Sequence, residues 1–181
     1  SMKKDIEKRK VIKKALTDLN IEFEFFDGID GRNEEHLNEW NLYDGRPVST
    51  YYEKIYNKKF IEGPGVFGHL KSMFKMLEEA TFQGYQNILV FEDDVIFSND
   101  FDEKATNFLK EIKEDWKIVC FGASDYKLER GVAPPFYTPL KFLTTGAFAL
   151  GIHSSVYSEI RNEINTFETP FDNLPLGNIY D

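Results

Sequence analysis

Three adjacent carboxylates, Glu92-Asp93-Asp94, close the run NILVF, and the apolar residues Val95, Ile96 and Phe97 follow at once. Like charges packed this closely repel, and ionising them beside a low-dielectric interior is costly. A hard divalent cation offsets that cost, because Mg²⁺ and Mn²⁺ take carboxylate oxygens. Side chains alternate along a strand, so if the strand persists through Glu92, that residue and Asp94 share a side while Asp93 points away. Glu92 and Asp94 are therefore the metal-ligand candidates. A cation held there can carry a diphosphate and neutralise the charge of a leaving phosphate. The plain alternative is a solvated acidic turn that ends a strand. Apolar residues on both sides favour a cluster that is held rigidly.

The elements that must position the cluster follow from periodicity. Residues 5–20 predict a helix with Ile12, Leu16 and Leu19 on one face. IEFEFF, 21–26, alternates apolar and acidic residues and predicts a strand running into a turn at Asp27-Gly28. A short helix is expected after a cap at Asn33, and residues 41–64 are mixed, with turns at Gly45, Pro47 and Pro64. Gly65 to Ala80 carries a broad apolar face (Leu70, Met73, Phe74, Leu77) and predicts a helix that ends at Gly84. NILVFE is a buried strand. A helix over 101–113 follows, with Phe101, Ala105, Phe108, Leu109 and Ile112 inward. WKIVCFG, 116–122, and GAFALGI, 146–152, are further strands, separated by a long loop over 123–142. SSVYSEIRNEI, 154–164, predicts a serine-capped helix, and the final FETPFDNLPLGNIYD has no regular pattern. Helices alternating with short apolar strands predict an α/β sandwich around a mostly parallel sheet. In such sheets ligands bind beyond the carboxyl ends of the strands, where the acidic triplet lies.

Composition narrows the partners. A length of 181 residues with 41% hydrophobic side chains suits one domain with a sizeable core. A net charge of −9 argues against nucleic acid, which needs a basic footprint. One cysteine, Cys120, excludes an internal disulfide and a cysteine metal cluster, and its apolar surroundings mark it as a small core residue. No run is long enough for a transmembrane helix. No secretory signal is visible, and Ser1-Met2 reads as a cloning remnant. No Ser-His-acid set is evident, so Ser154 and Ser155 read as helix caps.

Five blocks in fixed order, FEFFDGIDGR, GVFGHLKSMFKMLEEA, NILVFEDDVIF, LTTGAFALGIHSSVYSEI and TPFDNL, resemble glycosyltransferase family 25. That family includes bacterial lipooligosaccharide galactosyltransferases and collagen-modifying galactosyltransferases. The resemblance covers about residues 5–175 and implies a single glycosyltransferase-like domain over 1–181, for which trimming at both ends is one of the open alternatives. It implies a GT-A fold with an Asp-X-Asp-type metal motif. It also implies Mn²⁺ (or Mg²⁺) and inverting transfer of galactose or glucose from a UDP-sugar to a glycan or hydroxylysine-type acceptor. Glu92-Asp93-Asp94 matches the metal motif: Asp94 would ligate the ion, and Glu92 or Asp93 would bind the ion or the donor's ribose. Asp30 and Gly31 match the family's strand end beside the nucleoside. Gly65, Gly68 and Ser72 match its Gly-x-x-Gly-x-x-x-Ser helix start, where backbone N–H groups can approach a donor phosphate. The family's Ser-His appears here as Ser72-Met73, with a histidine instead at His69, which also fits a helix-face role.

An inverting transfer needs a base for the acceptor hydroxyl. Asp172, which matches the family's late acidic position, and Asp125, which follows a buried strand, are the candidates. Each also fits a turn or cap role. Lys71 and Arg46 are candidates for neutralising phosphate. Tyr51, Tyr52, Phe136 and Tyr137 lie in expected loops, where they could stack on sugar or base. A glycosyltransferase-like module that binds without turnover is the alternative reading. A phospho-signalling receiver domain fits poorly, since its acidic pair follows the first strand.

Overall fold

A computed structural model of the chain describes residues 1–125 and 138–180. The first four elements are helices: α1 (Ile6–Asp18), α2 (Glu34–Gly45), α3 (Tyr51–Tyr56) and α4 (Pro64–Phe82). Strand β1 (Asn87–Phe91), helix α5 (Phe101–Glu111), β2 (Ile118–Asp125) and β3 (Thr144–His153) follow. A 3₁₀ turn (Ser154–Val156) leads into α6 (Tyr157–Ile164), and α7 (Leu174–Tyr180) comes last.

The expected mostly parallel sheet is not what forms. The described sheet has three strands in the order β1-β3-β2, and both pairings are antiparallel. The reason lies in the connections. β1, α5 and β2 make a crossover that points β1 and β2 the same way, but they do not pair with each other. β3 enters between them in the opposite direction and takes the hydrogen bonds of both, with Phe91 opposite Ala149 on one side and Cys120 opposite Leu150 on the other. The carboxyl ends of β1 and β2 therefore both point toward the start of β3, β1 stopping opposite Ala149 and β2 running on to Thr144.

Helix α4 anchors the core. Its Leu70, Leu77 and Ala80 are buried with Leu150 and Ile152 of β3, Ile160 and Ile164 of α6, and Leu176 of α7. Pro64 sits in the first turn of α4, where its missing N–H costs nothing. Gly84, with φ +72°, turns the chain after the helix. Helix α1 buries Ile12 and Leu16 as its spacing predicts, with Leu19 just past its end.

Several expectations change. IEFEFF forms no strand among the described residues. β1 is an edge strand of the described sheet, not a buried one, and Leu89 is 48% exposed. Helix α5 has no fully buried residue; Phe101 and Phe108 reach Phe121 of β2 with ring centroids 6.3 and 5.6 Å apart. Tyr51 and Tyr52 lie in α3 rather than in a loop. The cap before the last strand-to-helix turn is His153, whose Nδ1 accepts the Ser155 N–H at 3.2 Å, rather than a serine. The unpatterned C-terminal stretch contains α7. Phe136 and Tyr137 lie outside the described residues.

Candidate active site

The blocks at 30–32, 64–72 and 92–94 meet at the amino-terminal end of α4. Gly31 and Gly68 face each other backbone to backbone. A Cβ on Gly68 would lie 2.6 Å from both the Gly31 nitrogen and the Ile29 oxygen, and one on Gly31 would strike the Pro64 carbonyl. Ser72, one turn further along α4, fixes this approach: its Oγ accepts the Ile29 N–H at 2.7 Å and donates to the Gly68 carbonyl at 2.7 Å. In this structure the glycine-serine pattern docks segment 29–31 onto the helix. Gly65 lies under the Arg32 guanidinium, 3.2 Å from where its Cβ would be. A cation therefore stands over the first turn of α4, the end that favours anions.

The docked segment presents Asp30. Its carboxylate is buried, bound by Lys4, and accepts the Arg32 N–H at 3.0 Å. Those bonds, Lys4's first, hold its pKa below the ordinary carboxylate value.

β1 ends at Phe91, before the acidic triplet. The Glu92 N–H still donates to the Phe148 carbonyl at 2.9 Å, but Asp93 and Asp94 form a turn. Strand alternation therefore does not sort the three side chains. Glu92 faces α4, with its Oε1 3.4 Å from His69 Nε2. Asp93 and Asp94 converge instead on one ammonium, Lys8 of α1, at 3.2 and 3.5 Å. Burial alone would raise the Asp93 pKa, but hydrogen bonds from Ser1 and Lys8 outweigh it, and the net shift is downward. The hydrogen bond to Asp93 raises the Lys8 pKa in turn.

The late carboxylates are ordered along β3. Asp125 ends β2 opposite Thr144; the surroundings of its side chain lie outside the described residues. Asp172 Oδ2 accepts the Gly146 N–H at 2.7 Å. Glu92 bonds at Phe148. These attachment points are two residues apart, so they span about 14 Å of strand. Phe171, beside Asp172, sets its ring edge against His69 at 5.9 Å, which joins this end of the site to Glu92. A cavity of about 590 Å³, walled by Phe97, Phe101, Phe121 and Phe148, opens beside Asp94. That volume suits a small ligand.

Two candidate cations are engaged elsewhere. Arg46 grips the fully buried Glu53 with both terminal nitrogens, at 2.7 and 2.8 Å, and Lys71 pairs with Glu39. Sequence reasoning missed Lys8, which lies on the polar side of the predicted helix, and Lys4, which precedes it. It also missed Arg32, whose only signal was its place in FEFFDGIDGR. The buried Arg46–Glu53 pair left no signal at all, since seven residues and a turn separate its members.

Among the described residues no three of His, Cys, Asp and Glu converge as metal ligands. The donor chemistry nevertheless fits a hard cation. Two carboxylates already share one positive charge, and Mg²⁺-like ions bind through one or two carboxylates plus phosphate oxygens and water.

The model of glycosyltransferase family 25 (LPS biosynthesis protein) matches residues 1–137, a span that holds the three convergent blocks. Procollagen galactosyltransferase 2 of Mus musculus is 24% identical over 127 residues, which is 67% of this chain and 20% of that protein. Probable inactive glycosyltransferase 25 family member 3 of Rattus norvegicus is 26% identical over 123 residues, 66% of this chain and 21% of that protein. The chain thus spans about a fifth of the length of these relatives. With the family model covering three quarters of its residues, the chain belongs to glycosyltransferase family 25.

Proposed function

We propose that this chain carries the donor site of a glycosyltransferase that moves a hexose, galactose or glucose, from a UDP-sugar to a glycan or hydroxylated-protein acceptor with inversion. The observation that carries the reading is the meeting of Asp30-Gly31, the start of α4 and Glu92-Asp93-Asp94 in one corner. Asp93 and Asp94 hold the divalent cation, Mn²⁺ or Mg²⁺, with Glu92 beside them. When bound, that ion supplies the Lewis acid that stabilises the leaving UDP. Arg32 and the first turn of α4 face the diphosphate. Asp30 and Gly31 line the nucleoside side. Asp172 accepts the Gly146 N–H at Oδ2 and the Asn173 side-chain amide, at 3.5 Å, at Oδ1, and it is the base for the acceptor hydroxyl. Asp125, on the same end of β3, is the second candidate for that role.

One observation favours a second reading, a module that binds the donor without turnover. Asp30 is paired with Lys4, Asp93 and Asp94 share Lys8, and one relative bears the name of a probable inactive member. Release of UDP from UDP-galactose and UDP-glucose, with and without Mn²⁺, separates the two. The enzyme reading expects Mn²⁺-dependent release; donor binding with no release leaves the second reading.

A further inference from the structure

We infer that Lys8 is the built-in counter-ion of the acidic turn: its ammonium holds Asp93 and Asp94 together when no divalent cation is bound, and it yields the pair when one arrives. The inference rests on the reading of residues 92–94 as a cation site. Two adjacent carboxylates on a turn would splay apart, but Lys8 Nζ lies 3.2 Å from one and 3.5 Å from the other. The arrangement is made to be reversible. The side chains of Lys8 and Asp94 are 51% and 66% exposed, so the ammonium can move into water at little cost, whereas Asp93 is 14% exposed and stays in place. A lysine suits this role: its charge is compact, and its long stem rotates freely.

The helix that carries Lys8 does not depend on this contact. Ile12 and Leu16 bury its inner face, Lys4 is bound to Asp30, and Arg9 reaches Asp27 at 2.7 Å and the Ser1 carbonyl at 2.8 Å. Lys8 can therefore let go while α1 stays docked. Once released, its ammonium remains beside any diphosphate that the cation carries. Lys8 is thus a positioning residue with two opposed effects. It competes with the free cation, and it assists the anionic ligand that follows.

Opposed signs make the test sharp. Mn²⁺ binding is measured by electron paramagnetic resonance on the wild-type chain, Lys8→Met, Lys8→Arg and Asp94→Asn. UDP binding at saturating Mn²⁺ is measured by calorimetry on the same proteins. Lys8→Met should tighten Mn²⁺ about five-fold, equivalent to about 1 kcal/mol for a partly exposed ion pair. It should weaken UDP about three-fold or more, Lys8→Arg should stay near wild type, and Asp94→Asn should lose Mn²⁺. A second readout needs no variant. The Lys8 ¹⁵Nζ resonance of the wild-type chain should move toward that of free lysine as Mg²⁺ is added. The inference is overturned if Asp94→Asn loses Mn²⁺ while Lys8→Met leaves Mn²⁺ affinity unchanged or weaker, or if both ligands shift in the same direction. If Asp94→Asn binds Mn²⁺ like wild type, the cation reading of residues 92–94 fails instead, and this inference with it.

Discussion

Gly68→Ala separates two accounts of the helix start. The packing account holds that Gly68 is small because the chain at 29–31 passes over it. An added Cβ would sit 2.6 Å from the Gly31 nitrogen and the Ile29 oxygen, where ordinary contact begins at 3.4 Å. Both neighbours are backbone, so no side chain can rotate away, and segment 29–31 must lift by nearly 1 Å. Overpacking of this kind costs about 1–3 kcal/mol. Lifting Ile29 also stretches its 2.7 Å bond to Ser72, which adds about 1 kcal/mol. The expected loss is therefore about 2–4 kcal/mol in urea denaturation, with Ser72→Ala losing about 1–2 kcal/mol because it leaves the Ile29 N–H unpaired. Both variants displace Asp30, so Mn²⁺-dependent UDP binding should fall with stability, and further in Gly68→Ala. A Gly68→Ala chain that keeps wild-type stability but loses UDP would refute the packing account. Gly68 would then serve close approach of the ligand, the role the motif suggests by resemblance.

Glu53→Gln tests the buried pair. Burial alone would raise the Glu53 pKa, but hydrogen bonds from Arg46 and from the Ser49 and Thr50 N–H groups hold it at about 2, against an ordinary 4.5. A depressed carboxylate pKa stabilises the fold above pH 4.5, and the contribution is lost as pH falls toward 2. The shift corresponds to about 3 kcal/mol. Denaturation midpoints from pH 7 to pH 2 should show wild type losing this increment across that window, while Glu53→Gln starts lower and changes less. Parallel curves would contradict the assignment. Asp172→Asn keeps an oxygen for the Gly146 N–H and should cost only about 1 kcal/mol. If Asp172 is the base, UDP release should fall about 100-fold or more at that small stability cost; equal modest losses would make the residue structural.

The sequence made the regular elements of the core legible wherever one face is buried. Leu70, Leu77 and Ala80 repeat at helical spacing because α4 packs β3, α6 and α7 along a single side. The apolar runs of β2 and β3 showed as strands for the same reason. Pairing was not legible. IEFEFF alternates as a strand does, but period two specifies an extended chain and not a neighbour. Sheet direction was misread because helix-strand alternation describes β1-α5-β2 correctly and says nothing of where β3 inserts. Helix α7 was hidden by Pro175 and Gly177, which break its pattern although a proline in the first helical turn is tolerated.

The site shows the same division. The triplet and the glycine-serine helix were visible as local spacings, and the structure brings them together. The sorting of the carboxylates was not visible, since it depended on the strand ending one residue early, at Phe91. The partners of the carboxylates were hidden as well. A lysine on an amphipathic helix looks solvated until the fold lays that helix beside Asp93, and Lys4, just before the helix, reaches Asp30.

The central claim is a cation-dependent donor site at residues 92–94. Calorimetric titration of UDP into the wild-type chain and Asp94→Asn, each with and without Mn²⁺, tests it most directly, with a thermal melt to confirm that both are folded. The account predicts UDP binding that requires Mn²⁺ in the wild type and disappears in a folded Asp94→Asn. UDP binding that is indifferent to Mn²⁺, or unchanged in Asp94→Asn, would contradict it.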